Sequence, residues 1–390
     1  MPPAVPRLAL LGALAIFAGA SGCAAQSAAP APDRTPSPAA PARAAPTRPV
    51  APAAIVPPVP WSITRISGVD YVEVTDVAKR LDLKVTTDES GKKLTLTNAA
   101  NRLALEADTR DTTINGQRLF LGSPAKIRGR HVYVSRIDVE RSLTPLLRPG
   151  LGAVPPPAPR IIALDPGHGG RDDGTENRAL GLREKILTLD VALRLKKLLE
   201  AAGYQVVLTR TDDHELADRK EVDLPLRADL ANRAGADLFI SIHFNAAAKD
   251  TRGTEVFWLA PRTQRSTDSW SPGTDDDSVA DELPGNRFDP WNVSLAAALH
   301  RNLLRTLKTE DRGIKIAHWA VLRSLRCPGV LVEPTILSND ADARRTARPE
   351  FRQQIAEAIA AGVRDYAAML DALRPKPSPP AAVSPTAGVR

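Results

Sequence analysis

The chain has 390 residues, 43% of them hydrophobic, with 52 Lys and Arg against 45 Asp and Glu for a formal net charge of +7. That length allows two or three domains, and the apolar content excludes a wholly disordered chain. The basic residues are scattered and form no aromatic-interleaved patch, so nucleic acid is not an expected partner; two cysteines, Cys23 and Cys327, are too few for a thiolate zinc site.

The N-terminal stretch MPPAVPRLALLGALAIFAGASGC sets Arg7 before an apolar run from Leu8 to Ala18, followed by small residues. The run is too short to span a bilayer comfortably and has the form of a secretory signal over residues 1–22, so the protein is expected in the cell envelope or periplasm. Ala20-Ser21-Gly22-Cys23 resembles a bacterial lipobox, although Ala20 stands where Leu is usual. That resemblance implies a lipid on Cys23 and a membrane contact through it; simple cleavage and secretion is the alternative. Residues 23–60 are almost entirely Ala, Pro, Ser, Thr and Arg, a composition that cannot bury enough apolar surface to fold. As an extended tether they would reach on the order of 100 Å.

Residues 61–148 predict a small α+β domain. YVEVTDVAKRLDLKVTTDESGKKLTLTN reads as a strand, a helix around Val77 to Leu81 and a hairpin turning near Glu89-Ser90-Gly91. A second hairpin turns at Asn115-Gly116, and RHVYVSRIDVERSL parallels DYVEVTDVAKRL as an internal repeat. This pattern resembles the N-terminal domain of copper amine oxidases, also used as a stalk in bacterial envelope proteins, and implies spacing or wall attachment without copper. His131, alternating in its strand, is expected at the surface.

After a Pro-rich linker over residues 149–159, strands alternate with amphipathic helices. IIALD is a strand, EKILTLDVALRLKKLLEAAG a helix with Leu187, Val191, Leu195 and Leu198 on one face, YQVVLT a strand and LPLRADLANRAG a helix. DLFISIHF, GTEVFWL and GVLVE are further strands, VSLAAALHRNLLRTL and FRQQIAEAIAAGVRDYAAML further helices. Such alternation predicts an α/β domain over residues 160–371, a mostly parallel sheet flanked by helices. Residues 372–390 read as a disordered tail. Cys327, before an apolar strand, is expected to be a small buried hydrophobe.

In open α/β sheets ligands bind past the carboxyl ends of the strands. His168 follows IIALD, His243 closes FISI, Glu333 closes GVLV, and Glu184 opens the helix after the first strand. Two imidazoles and a carboxylate suit a borderline divalent metal with one position left for water, and Glu333 then serves as general base. The same ligand types describe non-haem iron oxygenases, but those rest on β-sandwiches or barrels. His214 and His300 are expected to be structural, and His318, taken to precede a strand, either structural or lining the cleft.

DPGHGGRDDGT, GLREK, LRADLANRAGADLFISIHFNA and VLVEPTILSN together resemble the zinc-dependent N-acetylmuramoyl-L-alanine amidases of bacterial cell walls over about 210 residues. The resemblance implies Zn2+ held by His168, Glu184 and His243, Glu333 as the catalytic glutamate, and peptidoglycan as substrate, cut between N-acetylmuramic acid and L-alanine. A wall-binding protein that kept the fold without catalysis, or a general zinc peptidase, remain the alternatives. Pro334 departs from the usual small or apolar residue and removes an N–H beside Glu333. Residues 262–292 form a long polar insertion, expected as a substrate-side loop or as a short acidic helix whose Glu282 blocks the metal until an activator protein draws it away.

Overall fold

The alternating pattern of KLTLT and RLALE buries Leu94, Leu96, Leu103 and Leu105 on one face, and these strands pair as a hairpin. They belong to a computed structural model that describes residues 60–267 and 280–374. The expected leader with Cys23, the tether up to residue 59, residues 268–279 of the insertion and the tail from residue 375 lie outside the described residues. Among the described residues, no helix is long and apolar enough to cross a membrane.

In the N-terminal region the internal repeat becomes two similar units. Strand Val69–Glu73 leads into helix Val74–Leu81, and strand His131–Ser135 leads into a helical stretch that begins at Arg136, the two strands pairing antiparallel. Asn115 and Gly116 both take positive φ between strands Asp111–Ile114 and Gln117–Phe120, the backbone that a tight two-residue hairpin requires. His131 is exposed and lies 2.8 Å from Glu73.

Strands Gln205–Leu208, Ile161–Pro166, Leu238–Ile242 and Gly329–Glu333 run parallel in that spatial order. Thr254–Leu259 then pairs antiparallel with Gly329–Glu333, and Asp311–Ala317 runs parallel to Thr254–Leu259. The sheet continues into the N-terminal region, because Gln117–Phe120 pairs parallel with Asp311–Ala317 through Leu119 and Ile314, giving 11 strands. The backbone N–H of Arg118 donates to Asp311 at 2.9 Å, and the side-chain amide of Gln117 donates to the carbonyl of Ala297 at 3.0 Å. The stretch between the two regions has no helix or strand, and the regions on either side of it share one sheet.

One face of the C-terminal half carries Leu164, Ile240, Val256, Trp258, Val330 and Val332, packed under helices Glu184–Ala201, Asp289–Leu307 and Pro349–Ala372. The other carries Ala163, Phe239, Phe257 and Leu331 under helices Lys220–Arg233 and Ala320–Arg323. Cys327 is buried among them. Because Thr254–Leu259 and Asp311–Ala317 run against the parallel strands, their carboxyl ends point away from the ends of Leu238–Ile242 and Gly329–Glu333. His318 follows Asp311–Ala317, not precedes a strand, and is therefore at the opposite edge; it is buried, 2.9 Å from the carbonyl of Gln264.

Candidate active site

The chain leaves strand Ile161–Pro166 through a turn that only small residues permit. A Cβ on Gly167 would stand 2.3 Å from the His243 ring, and one on Gly174 would stand 2.7 Å from both Glu184 and the His168 ring. His168 itself takes φ +62°, a left-handed conformation that is uncommon for a side-chain-bearing residue. Paired backbone bonds between Gly169 and Asp172, both 3.0 Å, close the turn.

Glu184 is the first residue of helix Glu184–Ala201, where the positive end of the helix favours a carboxylate. It is 2% exposed, and its oxygens accept from the backbone N–H of Thr175 at 2.7 Å and of Phe244 at 2.8 Å. His168 Nε2 lies 3.1 Å and His243 Nδ1 3.0 Å from the same Glu184 oxygen, and the rings meet edge to face at 4.8 Å. One ligand atom from each of His168, Glu184 and His243 lies within 4.8 Å of the others. Two partly exposed ring nitrogens and one buried carboxylate oxygen, gathered together, fit the ligand set of a divalent zinc ion with room for water or substrate.

The surrounding charges aim these groups. His168 Nδ1 faces Asp172 at 2.9 Å, and Lys220 sits 3.0 Å from the same Asp172 carboxylate. That contact fixes the ring so that Nε2 is the nitrogen turned toward Glu184. Burial alone would lower the His168 pKa, but Asp172 and Glu184 outweigh it and hold it at about 9. For Glu184, burial pushes up while the two imidazoles pull down, and the carboxyl ends well below its ordinary range.

Beneath the turn lie charged residues that sequence reasoning did not single out. Arg227 donates to Asp165 at 2.9 Å, to the carbonyls of Pro166 and His168 at 3.0 and 2.9 Å, and to Asp223 at 2.6 Å. Arg210 donates to the carbonyls of Pro166 and Gly167, both at 2.9 Å. Three successive carbonyls of the histidine turn are thus held by two buried guanidinium groups. The available signal was a charge inside an otherwise apolar strand or helix face, Asp165 in IIALD and Arg227 in LPLRADL.

Glu333 ends strand Gly329–Glu333 and is 5% exposed. His243 and Glu333 lie on neighbouring strands, with the N–H of His243 bonded to the carbonyl of Val332 at 3.0 Å. Strand alternation puts them on one face, in step with buried Phe239 and Leu331. Pro334 leaves this placement intact, its carbonyl accepting from Thr254 Oγ1 at 2.7 Å. His214 is partly exposed beside Asp212, and His300 is fully buried, 3.1 Å from Asp311; neither joins the cluster. Glu282 donates nothing to the cluster either: its carboxylate accepts from Arg141 of the N-terminal region at 2.9 Å.

A family model described as N-acetylmuramoyl-L-alanine amidase matches residues 162–365, more than half of the chain. The chain belongs to this amidase family. An uncharacterized cell wall amidase of Bacillus anthracis is 34% identical over 209 residues, covering 53% of this chain and 35% of that protein. The N-acetylmuramoyl-L-alanine amidase AmiC of Neisseria meningitidis is 33% identical over 228 residues, covering 53% of this chain and 52% of that protein. The chain therefore spans about a third to about half the length of these curated relatives. A solved amidase from Clostridium difficile is 30% identical and covers 54% of this chain and 97% of its own, with a TM-score of 0.44. A second family model, copper amine oxidase N-terminal domain, matches residues 59–144, ahead of the amidase region.

Proposed function

We propose that this protein is a zinc-dependent N-acetylmuramoyl-L-alanine amidase acting on peptidoglycan in wall remodelling, cell separation or lysis. The observation that carries the reading is the convergence of His168, Glu184 and His243 within 4.8 Å, with Glu333 at the end of the strand next to that of His243, in a chain of the amidase family. These three residues would hold the ion. When bound, zinc polarises a carbonyl and acidifies its water.

The residues of the chain divide the rest of the work. Glu333 takes the proton of the water that attacks the lactyl carbonyl, then delivers a proton to the amine of L-alanine as the amide bond breaks. Asp172 keeps His168 in one tautomer, and Arg210 and Arg227 hold its backbone. The wall is also the compartment to which the leader-like N-terminus would deliver the protein, with Cys23 as a lipid attachment point. With Glu282 committed to Arg141 and residues 289–292 part of helix Asp289–Leu307, we do not favour Glu282 as a block on the ion, and an activator acting on the insertion would not have to remove Glu282 from the ion.

The test uses the full chain, because its sheet is shared by both regions. Purified peptidoglycan is incubated with the zinc-loaded protein, with Glu333→Ala and with a chelated sample. Release of intact stem peptide and of glycan bearing free lactyl groups by the first alone is the expected result. A zinc-loaded protein that binds the wall and releases neither would leave the binding reading in its place.

A further inference from the structure

Beyond the strand of Glu333 lies Thr254–Leu259, and its Glu255 is the cross-strand partner of Glu333. Directly opposed residues on antiparallel strands place their Cβ atoms about 4.5–5.5 Å apart on one face. Glu255 is fully buried, and a buried carboxylate requires compensation. Lys315 donates to its Oε2 at 2.5 Å and Arg312 at 3.1 Å. Its Oε1 accepts from the side-chain amide of Asn245, two residues past His243.

Asn245 follows strand Leu238–Ile242, which pairs with the strand of Glu333 on its other side. Its carbonyl accepts from Leu337 N at 2.8 Å, it forms a bridge with Ile336, and its side-chain oxygen accepts from Ala246 N at 2.7 Å. The bond between Glu255 and Asn245 therefore passes over the strand end that carries Glu333 and ties its two neighbours together. A buried ion cluster serving stability alone would need Lys315 and Arg312; it would not need a ligand-bearing loop as its third partner. The N-terminal region closes the cluster from outside, with the Lys315 ammonium 5.5 Å over the Phe120 ring.

We propose that Glu255, acting through Asn245, is a positioning residue that fixes Glu333 relative to His243. This rests on the amidase reading given above. A misplacement of about 1 Å between reacting groups costs up to roughly 100-fold in rate, and the tie spans the two groups whose spacing matters most.

The test is Asn245→Ala in the full-length protein, which removes the tie and leaves the ion cluster whole. Expected are a kcat lower by about tenfold to 100-fold, KM within about twofold, zinc content equal to wild type, and a crystal structure with Glu333 displaced from His243. Glu255→Gln combined with Lys315→Met keeps an acceptor for Asn245 and leaves the net charge of the cluster as in wild type, the single positive charge of Arg312, and should be several-fold faster than Asn245→Ala. An unchanged kcat in Asn245→Ala overturns the proposal, as does a loss that follows zinc content. So does a paired variant as slow as Asn245→Ala, since the charge of Glu255 would then be what counts. A zinc-loaded wild type that cuts no amide overturns the amidase reading first and this inference with it.

Discussion

Arg227→Met removes the guanidinium that holds the histidine turn and leaves Asp165 buried without its cation. Asp165 is 0% exposed and would keep hydrogen bonds from Thr209 at 2.6 Å and Ser241 at 2.8 Å, with Arg210 as a remaining nearby cation that does not bond to it. Breaking a buried pair on one side costs about 3–5 kcal/mol, a large share of the roughly 5–15 kcal/mol that holds an ordinary domain. In the native protein burial would raise the Asp165 pKa, but Arg227 and the two hydroxyls outweigh it and the carboxyl stays below its ordinary value. Native Asp165 thus adds stability above its unfolded pKa of about 3.9, lost as pH falls through the folded value. In the variant burial prevails and the folded pKa rises, so the deficit is full at pH 7.5 and shrinks toward pH 5. Guanidinium unfolding followed by tryptophan fluorescence at both pH values measures it, and Asp165→Asn in the Arg227→Met background should recover part of the loss. A deficit below about 1 kcal/mol, or one equal at both pH values, refutes the reasoning.

Glu333→Gln should lower kcat by about 100-fold to 10,000-fold, with metal analysis finding the zinc of the wild type. Gly174→Ala forces a Cβ to 2.7 Å from Glu184 at φ +67°, so calorimetry should find zinc bound about 10-fold to 100-fold more weakly. In chelated protein, His168 with a pKa of about 9 contributes stability that is full below its unfolded value of about 6.5 and is lost as pH rises through 9. The melting temperature of the metal-free form should fall across that window while zinc affinity rises, because the ligand must give up its proton; a flat affinity would refute the assignment of His168.

The strand ends were legible because apolar runs such as FISI and GVLV stop at a single polar residue, and the topology gathers such ends at one edge. What the one-dimensional pattern did not carry was strand direction. GTEVFWL has the same apolar character as its neighbours, yet it runs against them, which sends His318 to the far edge and brings Glu255 beside Glu333. Asp172 was hidden for a related reason: an acidic residue in a Gly-rich loop looks solvated until the turn of Gly169 folds it back onto His168. The boundary at residues 149–159 was visible in its prolines, but nothing in composition tells that strands on either side of it pair.

That shared sheet bears on how the protein can be handled. Strand Asp311–Ala317 is buried along Gly313, Ile314, Lys315, Ile316 and Ala317, and Gln117–Phe120 lies along its outer side. Cutting the chain at the proline stretch to obtain a catalytic fragment would strip that cover and expose an apolar edge with unpaired N–H and C=O groups, a template for sheet-to-sheet aggregation. The region that looks like a disposable stalk is, for its neighbour, a guard against self-association.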